Sequence, residues 1–311
     1  MLLGKSGPLK QLQQSKILKK KRNIVFLDII LLVFVVIGAI FLSQRHPVKF
    51  NQNTTRENKF EEINQAVPTP TPNPTPTPTP KPLTFSEMNS LYGPCVRVPT
   101  LMYHRIQSKE EATANKQTNI SVYTDVFQSQ MQYLKNKSYN TITMNDLVNF
   151  FDMGIGIPAK SILLTFDDGY QDFYTDAYPI LSGLGFKSTV FIPTGLMQNP
   201  GYLTWDEISG MGTSVLFANH TWSHKSVATQ ETVMQKEIST ADNQLSDHGL
   251  NSPKVFAYPY GPDSVPAENY LTSLNYKAAF TTQIGNILCK KQRLSLPRIR
   301  VGNSPLSNYG F

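Results

Sequence analysis

The chain has 311 residues, enough for one barrel-sized domain with accessory segments or for two smaller domains. It is 40% hydrophobic and 11% aromatic, which excludes a wholly disordered chain. The formal net charge of +7 comes entirely from Lys and Arg residues that precede the first acidic residue, Asp28. The rest is close to neutral and has no RNP, zinc-finger or basic-region pattern, so we exclude nucleic acid as a partner.

A membrane anchor is predicted near the start of the chain. Residues 24–42 are apolar apart from Asp28 and, at about 1.5 Å per residue, nearly span a hydrocarbon core of roughly 30 Å. The basic tail, residues 1–23, predicts a single-pass protein of the cell membrane with a cytoplasmic N-terminus and an extracytoplasmic remainder. A cleaved signal peptide is the alternative, because Asp28 shortens the uninterrupted apolar run.

A spacer is predicted between this anchor and the folded domain. Residues 43–83 begin as a polar stretch and continue as Thr-Pro repeats. Alternate prolines lack amide donors and favour the extended polyproline II conformation, so we predict a disordered linker with a semi-rigid, proline-rich part. A docking motif for a proline-recognising module is the alternative. The folded domain is then expected to cover residues 84–311.

Strand and helix patterns alternate through this domain. We expect strands at 96–104, 140–143, 162–166, 188–192, 215–218, 256–258 and 297–301, and helices at 121–137, 144–151, 170–184, 205–211 and 231–247. Such alternation indicates parallel strands with helical crossovers, either in a doubly wound sheet or in a barrel. The number of strands favours a TIM-like (β/α) barrel.

Two adjacent carboxylates follow the apolar run at 162–166. Asp167 and Asp168 precede Gly169, which permits a sharp turn. They therefore lie at the carboxyl end of the predicted strand, where catalytic groups collect in parallel α/β folds. Neighbouring ionised carboxylates repel each other, and a cation or a shared proton removes the repulsion. The alternative is an ordinary turn in which one Asp caps the next helix.

A histidine pair follows a second apolar run. His220 and His224 are four residues apart, so on a helical turn both imidazoles would reach the same ion. With Asp168 they would form a facial triad with open positions for water and substrate, which leaves Asp167 free to act as a base. A lone pair with this spacing is nevertheless common by chance.

The chain contains two cysteines, Cys95 and Cys289. They would pair in an oxidising exterior, where a barrel would bring its first and last strands together. Two free thiols are the alternative, and the sequence leaves the choice open.

The two motifs resemble those of a known family. Residues 165–169 (TFDDG) and 220–224 (HTWSH) occur in the order and separation of the NodB homology domain of polysaccharide deacetylases, carbohydrate esterase family 4. The resemblance begins near Val96. It implies a distorted (β/α) barrel and metal-dependent removal of acetyl groups from N-acetylated sugars of an extracellular or cell-wall polysaccharide. By position, Asp167 matches the general base.

The resemblance also implies a cofactor. Asp168, His220 and His224 match the ligands of one divalent metal ion, for which zinc is the first choice and cobalt, nickel or manganese the alternatives. Residues 256–261 run from a strand into a proline turn, which alone indicates only a turn. In this segment Tyr260 matches the tyrosine whose backbone amide helps to bind the oxyanion.

Two departures from the family pattern matter. Ala257 stands where the family often has an arginine that supports the catalytic base, and no histidine follows His248 to supply the late Leu-x-His motif. Residues 102–104 (MYH) have the same form but precede the Asp-Asp motif, as in the circularly permuted poly-N-acetylglucosamine deacetylases. We therefore expect His104 to protonate the leaving amine and Arg298 to replace the missing arginine.

Other functions are open at this stage. An O-acetyl esterase could use the same site, and a decayed barrel could bind glycans without catalysis. The absence of a G-x-S-x-G motif excludes the usual serine hydrolase. Peptidoglycan, a secreted glucosamine polymer and chitin-like oligomers all fit as substrates. His248 is expected to be a solvated surface residue.

Overall fold

The computed structural model describes residues 81–311. The predicted anchor at 24–42 and nearly all of the predicted spacer lie outside these residues. Within residues 81–311, no helix is both long enough and apolar enough to cross a membrane.

Parallel strands form the centre of the domain, and most of their positions are buried. In chain order the strands are β1 (Cys95–Arg97), β2 (Thr100–Tyr103), β3 (Arg105–Gln107), β4 (Ser121–Tyr123), β5 (Asn140–Thr141), β6 (Ser161–Asp167), β7 (Ser188–Ile192), β8 (Val215–Asn219), β9 (Val255–Ala257), β10 (Ala278–Ile284), β11 (Ile287–Cys289) and β12 (Leu296–Arg300). Every residue of β6 and β7 is buried, as expected for strands covered on both faces.

Seven of these strands close into a barrel. The order is β2, β12, β10, β9, β8, β7 and β6, and β6 pairs back with β2. All of these pairs are parallel. Strand β5 pairs with the start of β6 outside the closed ring. The predicted TIM-like barrel is therefore confirmed for the described residues, in a distorted form.

Helices cover the barrel and begin at local capping signals. They are α1 (Phe85–Tyr92), α2 (Lys109–Ala114), α3 (Thr124–Asn136), α4 (Met144–Met153), α5 (Tyr178–Leu184), α6 (Trp205–Gly210), α7 (Glu231–Asp247) and α8 (Val265–Ser273). Helix α4 begins at a capping box of Thr143 and Asp146, and a left-handed Gly154 follows its end. A left-handed Gly185 follows α5 in the same way.

The core has two main layers. One layer is a cluster of buried residues that come mostly from the strands. On each strand they alternate with residues that face outward, and they include Leu163, Phe191, Ala218 and Phe280. The other strand face packs against the helices in a second cluster that includes Phe166. This alternation fixes the register of the strands, because a shift by one residue would exchange the two faces.

Several element boundaries differ from the prediction. The expected strand at 96–104 is interrupted at residues 98–99 and forms β1 and β2. Helix α3 starts three residues after the predicted 121, because Ser121–Tyr123 pairs with β3 instead. The expected helix at 170–184 opens with a π-helical turn, Phe173–Ala177, before α5.

The two cysteines, whose pairing the sequence leaves open, form a disulfide. Cys95 and Cys289 face each other across the antiparallel pair of β1 and β11. The bond therefore joins the segment that leads into the barrel to the segment that leads into its last strand.

Candidate active site

The candidate site residues meet at the carboxyl ends of the barrel strands. Asp167 ends β6 and is followed by Asp168, while His104 comes directly after β2. His220 directly follows β8, and Arg298 lies within β12. The parallel closed barrel therefore brings together residues that are far apart in the chain, at the end where barrel enzymes hold their catalytic groups.

Asp168, His220 and His224 form a compact cluster. Oδ1 of Asp168 lies 3.3 Å from Nε2 of His220 and 3.0 Å from Nε2 of His224. One donor atom from each of the three residues lies within 4.8 Å of the other two. The side chains thus converge on one point, as the ligands of a metal ion must.

The reason predicted for this convergence was wrong. Residues 220–224 are not helical but form an irregular loop, in which Thr221 has φ 67° and His224 has φ 57°. Asn219 supports the start of this loop, because its Oδ1 accepts the N–H of Thr221 at 2.8 Å. A left-handed turn of the backbone, rather than helical spacing, brings the second imidazole back to Asp168.

The tautomer of His220 is set by the neighbouring strand. Nδ1 of His220 lies 2.8 Å from the backbone carbonyl of Ala257. A carbonyl only accepts, so Nδ1 carries a proton, and in the neutral imidazole this leaves the Nε2 lone pair for a metal ion. A ligand histidine in a metal site is commonly oriented by such a bond.

The chemistry of the cluster fits a divalent metal ion. Oδ1 of Asp168 is buried and has no partner in hydrogen-bonding geometry within the described residues, although two imidazole nitrogens lie close to it. Burial opposes ionisation of Asp168, but the contacts with His220 and His224 outweigh it and hold its pKa well below the usual range. An ionised carboxylate beside two imidazoles is a donor set that zinc and related ions accept.

Asp167 is held by a buried arginine. Two nitrogens of the Arg298 guanidinium donate to the two carboxylate oxygens of Asp167, at 2.7 Å and 2.6 Å. Arg298 also donates to the backbone carbonyl of Thr281 and to the hydroxyl of Thr165. Burial would raise the pKa of Asp167, but the charge and hydrogen bonds of Arg298 lower it overall. Asp167 is thus an oriented, ionised carboxylate next to the cluster.

His104 directly follows Tyr103, which pairs with Phe166 next to Asp167. It is half-buried and lines a pocket with Asn119, Arg300 and Asn303. Burial lowers the pKa of its imidazole, the carboxylates of Asp167 and Asp168 oppose this, and Arg300 adds to the lowering. A lowered pKa makes the protonated imidazole a stronger proton donor.

Tyr260 lies beside the cluster in a strained turn. Its φ is 63°, its side chain is 70% exposed, and its ring packs edge-on against His224 at 4.8 Å between centroids. Within residues 81–311 its backbone N–H donates to no protein acceptor. This amide is therefore available for an oxygen of a bound ligand.

Arg105 forms a set of contacts near the site that the sequence analysis did not predict. Its guanidinium pairs with Asp172 at 2.7 Å and covers the ring of Tyr170 at 3.6 Å. Asp172 also accepts the N–H of Ile106. The segment after His104 is thereby attached to the turn that carries the Asp-Asp motif. Arg105 adjoins His104 in sequence, and this could have marked it as a residue near the site. Its partners Tyr170 and Asp172 could not have been predicted, because they lie more than 60 residues further along the chain.

A closed parallel barrel with these residues at the carboxyl ends of its strands can be compared with known proteins. The family model for polysaccharide deacetylase matches residues 156–279. The Streptococcus pyogenes deacetylase PplD, solved in complex with acetate, is 32% identical, with a TM-score of 0.63 over 69% of this chain and 96% of that chain.

Two curated relatives are more distant. The poly-beta-1,6-N-acetyl-D-glucosamine N-deacetylase of Staphylococcus epidermidis is 22% identical, and the match covers 65% of this chain and 78% of that protein. The protein of the same name from Escherichia coli K12 is 25% identical over 66% of this chain but only 36% of its own length. The chain thus spans about a third of the E. coli protein.

The chain belongs to the polysaccharide deacetylase family. The predicted enzyme class is confirmed: the protein is a hydrolase of carbon–nitrogen bonds other than peptide bonds, of the polysaccharide N-deacetylase type.

Proposed function

We propose that the protein removes acetyl groups from N-acetylglucosamine-type sugars of an extracellular or cell-wall polysaccharide, in a metal-dependent reaction. The observation that carries this proposal is the cluster of Asp168, His220 and His224 beside a carboxylate, Asp167, that Arg298 orients. The relatives named as poly-N-acetylglucosamine deacetylases support the choice of sugar.

Each site residue is proposed to have a separate role in the hydrolysis of the acetamide. A divalent ion held by Asp168, His220 and His224, with zinc as the first choice, would supply a Lewis acid that activates water and polarises the acetyl carbonyl. Asp167 accepts the proton of the water as it attacks. The backbone N–H of Tyr260 donates to the oxygen of the carbonyl as negative charge develops there.

The departing amine needs a proton, because an amine anion is a poor leaving group. His104 is the candidate donor, and Arg298 acts through Asp167 by keeping it ionised and oriented. Hydrolysis of O-acetyl esters, the alternative that the sequence left open, would be at most an additional activity of the same site. A decayed glycan-binding protein is disfavoured by the intact arrangement of Asp167 and the three ligands.

The location is proposed from the sequence and from one structural feature. Residues 24–42 would anchor the chain in the cell membrane, residues 1–23 would lie in the cytoplasm, and residues 43–83 would separate the anchor from the deacetylase domain at 84–311. The disulfide of Cys95 and Cys289 supports an oxidising, extracytoplasmic environment for that domain.

Acetate release by the full-length chain tests the activity. N-acetylglucosamine oligomers, peptidoglycan and acetylated xylan would be supplied before and after chelation, with Asp167→Asn as a parallel variant. We expect release from N-acetylated substrates that chelation abolishes, that added metal restores and that the variant reduces by at least about 100-fold. Stoichiometric metal binding without acetate from any glycan would contradict the proposal and favour a binding protein.

A further inference from the structure

A buried carboxylate that no catalytic step uses lies behind the histidine loop. Glu237, on α7, is 2% exposed. Burying an ionised carboxylate is costly unless it is fully hydrogen-bonded. Within residues 81–311, both hydrogen bonds that its side chain accepts come from Ser223, in the loop between His220 and His224.

Glu237 contacts two consecutive residues of that loop, Trp222 and Ser223, and a third residue just after it, Lys225. Its backbone carbonyl accepts the N–H of Trp222 at 2.9 Å. One carboxylate oxygen accepts the N–H of Ser223 at 2.7 Å, and the other accepts the hydroxyl of Ser223 at 2.7 Å. Lys225, just after the loop, places Nζ 3.5 Å from the same carboxylate. Such charge-assisted bonds are among the stronger ones in proteins.

The loop needs this support because its conformation is strained. Thr221 and His224 have positive φ angles, which cost free energy for residues other than glycine and persist only where the surroundings impose them. From the opposite side, the N–H of Gly195 donates to the carbonyl of Trp222 at 2.7 Å. The loop is thus held between the segment after β7 and helix α7.

The two histidines differ in how they are oriented. His220 directly follows β8 and has its own bond from Nδ1 to Ala257. For His224, no hydrogen bond to Nδ1 occurs within residues 81–311. The position of its imidazole therefore depends on its packing against Tyr260 and on its backbone, which Ser223 and Glu237 hold one residue away.

We infer that Glu237 is a positioning residue that sets the metal affinity of the site through Ser223 and His224. The inference rests on the proposed function, because it assumes that these histidines bind a metal ion. Glu237 touches neither the three ligands nor Asp167 by hydrogen bonds, so it acts on the geometry of the ligands and not on the reacting atoms.

Metal titration of the full-length chain tests this inference without any assay of activity. Zn²⁺ binding to the metal-free protein would be measured by calorimetry, and the absorption spectrum of bound Co²⁺ would report ligand geometry. For Glu237→Gln we expect about 10- to 100-fold weaker binding and a changed Co²⁺ spectrum, the range found when partners of metal ligands are removed. Glu231→Gln is the matched control on the same helix, because Glu231 is exposed and bonds only to Gln235.

A second variant separates positioning from simple charge attraction. Ser223→Ala keeps the charge of Glu237 but removes one of its bonds, and we expect a smaller but measurable weakening. Unchanged affinity in Glu237→Gln, with circular dichroism showing a folded protein, would overturn the inference. Weakening in Glu237→Gln with no effect in Ser223→Ala would also overturn it, in favour of charge alone. If the wild-type chain bound no metal, the proposed function itself would fail.

Discussion

His104 and His248 allow the role of the acid to be tested with a matched pair. His104 follows the strand that pairs with β6 next to Asp167, whereas His248 is exposed and stacks on Trp205 at 3.9 Å between ring centroids. Both are imidazoles at the ends of secondary-structure elements. The carboxylates of Asp167 and Asp168 act on His104, where they raise the pKa of the imidazole against the lowering effect of burial.

For His104→Ala we expect a loss of about 10²- to 10³-fold in amide deacetylation. Hydrolysis of an activated aryl ester should fall much less, because its phenolate leaves without a proton. Acetate release from N-acetylglucosamine oligomers and phenolate release from the ester would be compared in the same preparations. His248→Ala should leave both rates unchanged. Equal losses on both substrates, or near-normal amide turnover, would exclude His104 as the acid.

The turn after β9 shows how one glycine positions the Tyr260 amide that we propose binds the oxyanion. Gly261 has φ 97°, and a Cβ at this position would overlap the side chain of Thr282 on β10. Gly154, after α4, also has a positive φ, at 72°, but an added Cβ there would contact nothing within 4 Å. Alanine substitutions at the two positions therefore distinguish the cost of backbone strain from the cost of steric overlap.

Gly154→Ala should cost about 1 kcal/mol of unfolding free energy, from the left-handed backbone alone. Gly261→Ala should cost about 2 to 4 kcal/mol, because overlap with Thr282 adds to this strain. It should also reduce deacetylation about 10- to 100-fold, since the adjacent Tyr260 amide would move. Urea unfolding and acetate release would be measured on both variants. Equal losses of unfolding free energy in the two variants would contradict this prediction, because they would show that Thr282 moves aside without destabilising the protein.

Local elements were predictable, and the contacts between them were not. The run at 188–192 was predicted with its observed bounds, because its burial follows from its own apolar residues. The helix expected from residue 121 begins late, because Ser121–Tyr123 pairs with β3, a partner that no local pattern identifies. For the same reason the irregular loop at 220–224 was taken for a helical turn: Glu237 and Asn219, which shape it, act through tertiary contacts.

The sequence predicted those site residues that belong to a recognisable motif. Asp167, Asp168, His220 and His224 were proposed from two short motifs, and the structure places them together, although their roles stay predictions. Arg298 was proposed only as a replacement for a missing arginine, and the structure shows it against Asp167. The supporting residues Arg105, Asp172 and Glu237 have no motif, because each is defined by its partner in space.

The disulfide stabilises the molecule as a whole. It closes a covalent loop across 194 residues, which contains all of the barrel except its last strand. Such a crosslink restricts the unfolded chain, and we expect Cys95→Ser with Cys289→Ser to lose about 3 to 5 kcal/mol of unfolding free energy. Neither cysteine belongs to the site, so deacetylation at 25 °C should change by less than about twofold.

Urea unfolding with and without reductant would measure this effect. Wild-type protein should be destabilised by reductant, while the double variant should not respond. Wild-type protein that unfolds identically in both conditions would contradict the prediction. Protection of both thiols from alkylation in protein taken directly from cells would in addition support export to an oxidising compartment.

The closure of the barrel through β2 also determines when the enzyme becomes active during its synthesis. Strand β2 must wait for β12 before it has both neighbours, and Asp167 must wait for Arg298, which is made 131 residues later. A chain that emerges from its N-terminus onwards, from a ribosome or a membrane channel, therefore carries His104, Asp167 and the cluster of Asp168, His220 and His224 before the barrel that holds them together is closed. If these residues act as proposed, we expect catalysis to begin only when the last strand docks, so that a chain still in transit would not act on any glycan that it meets.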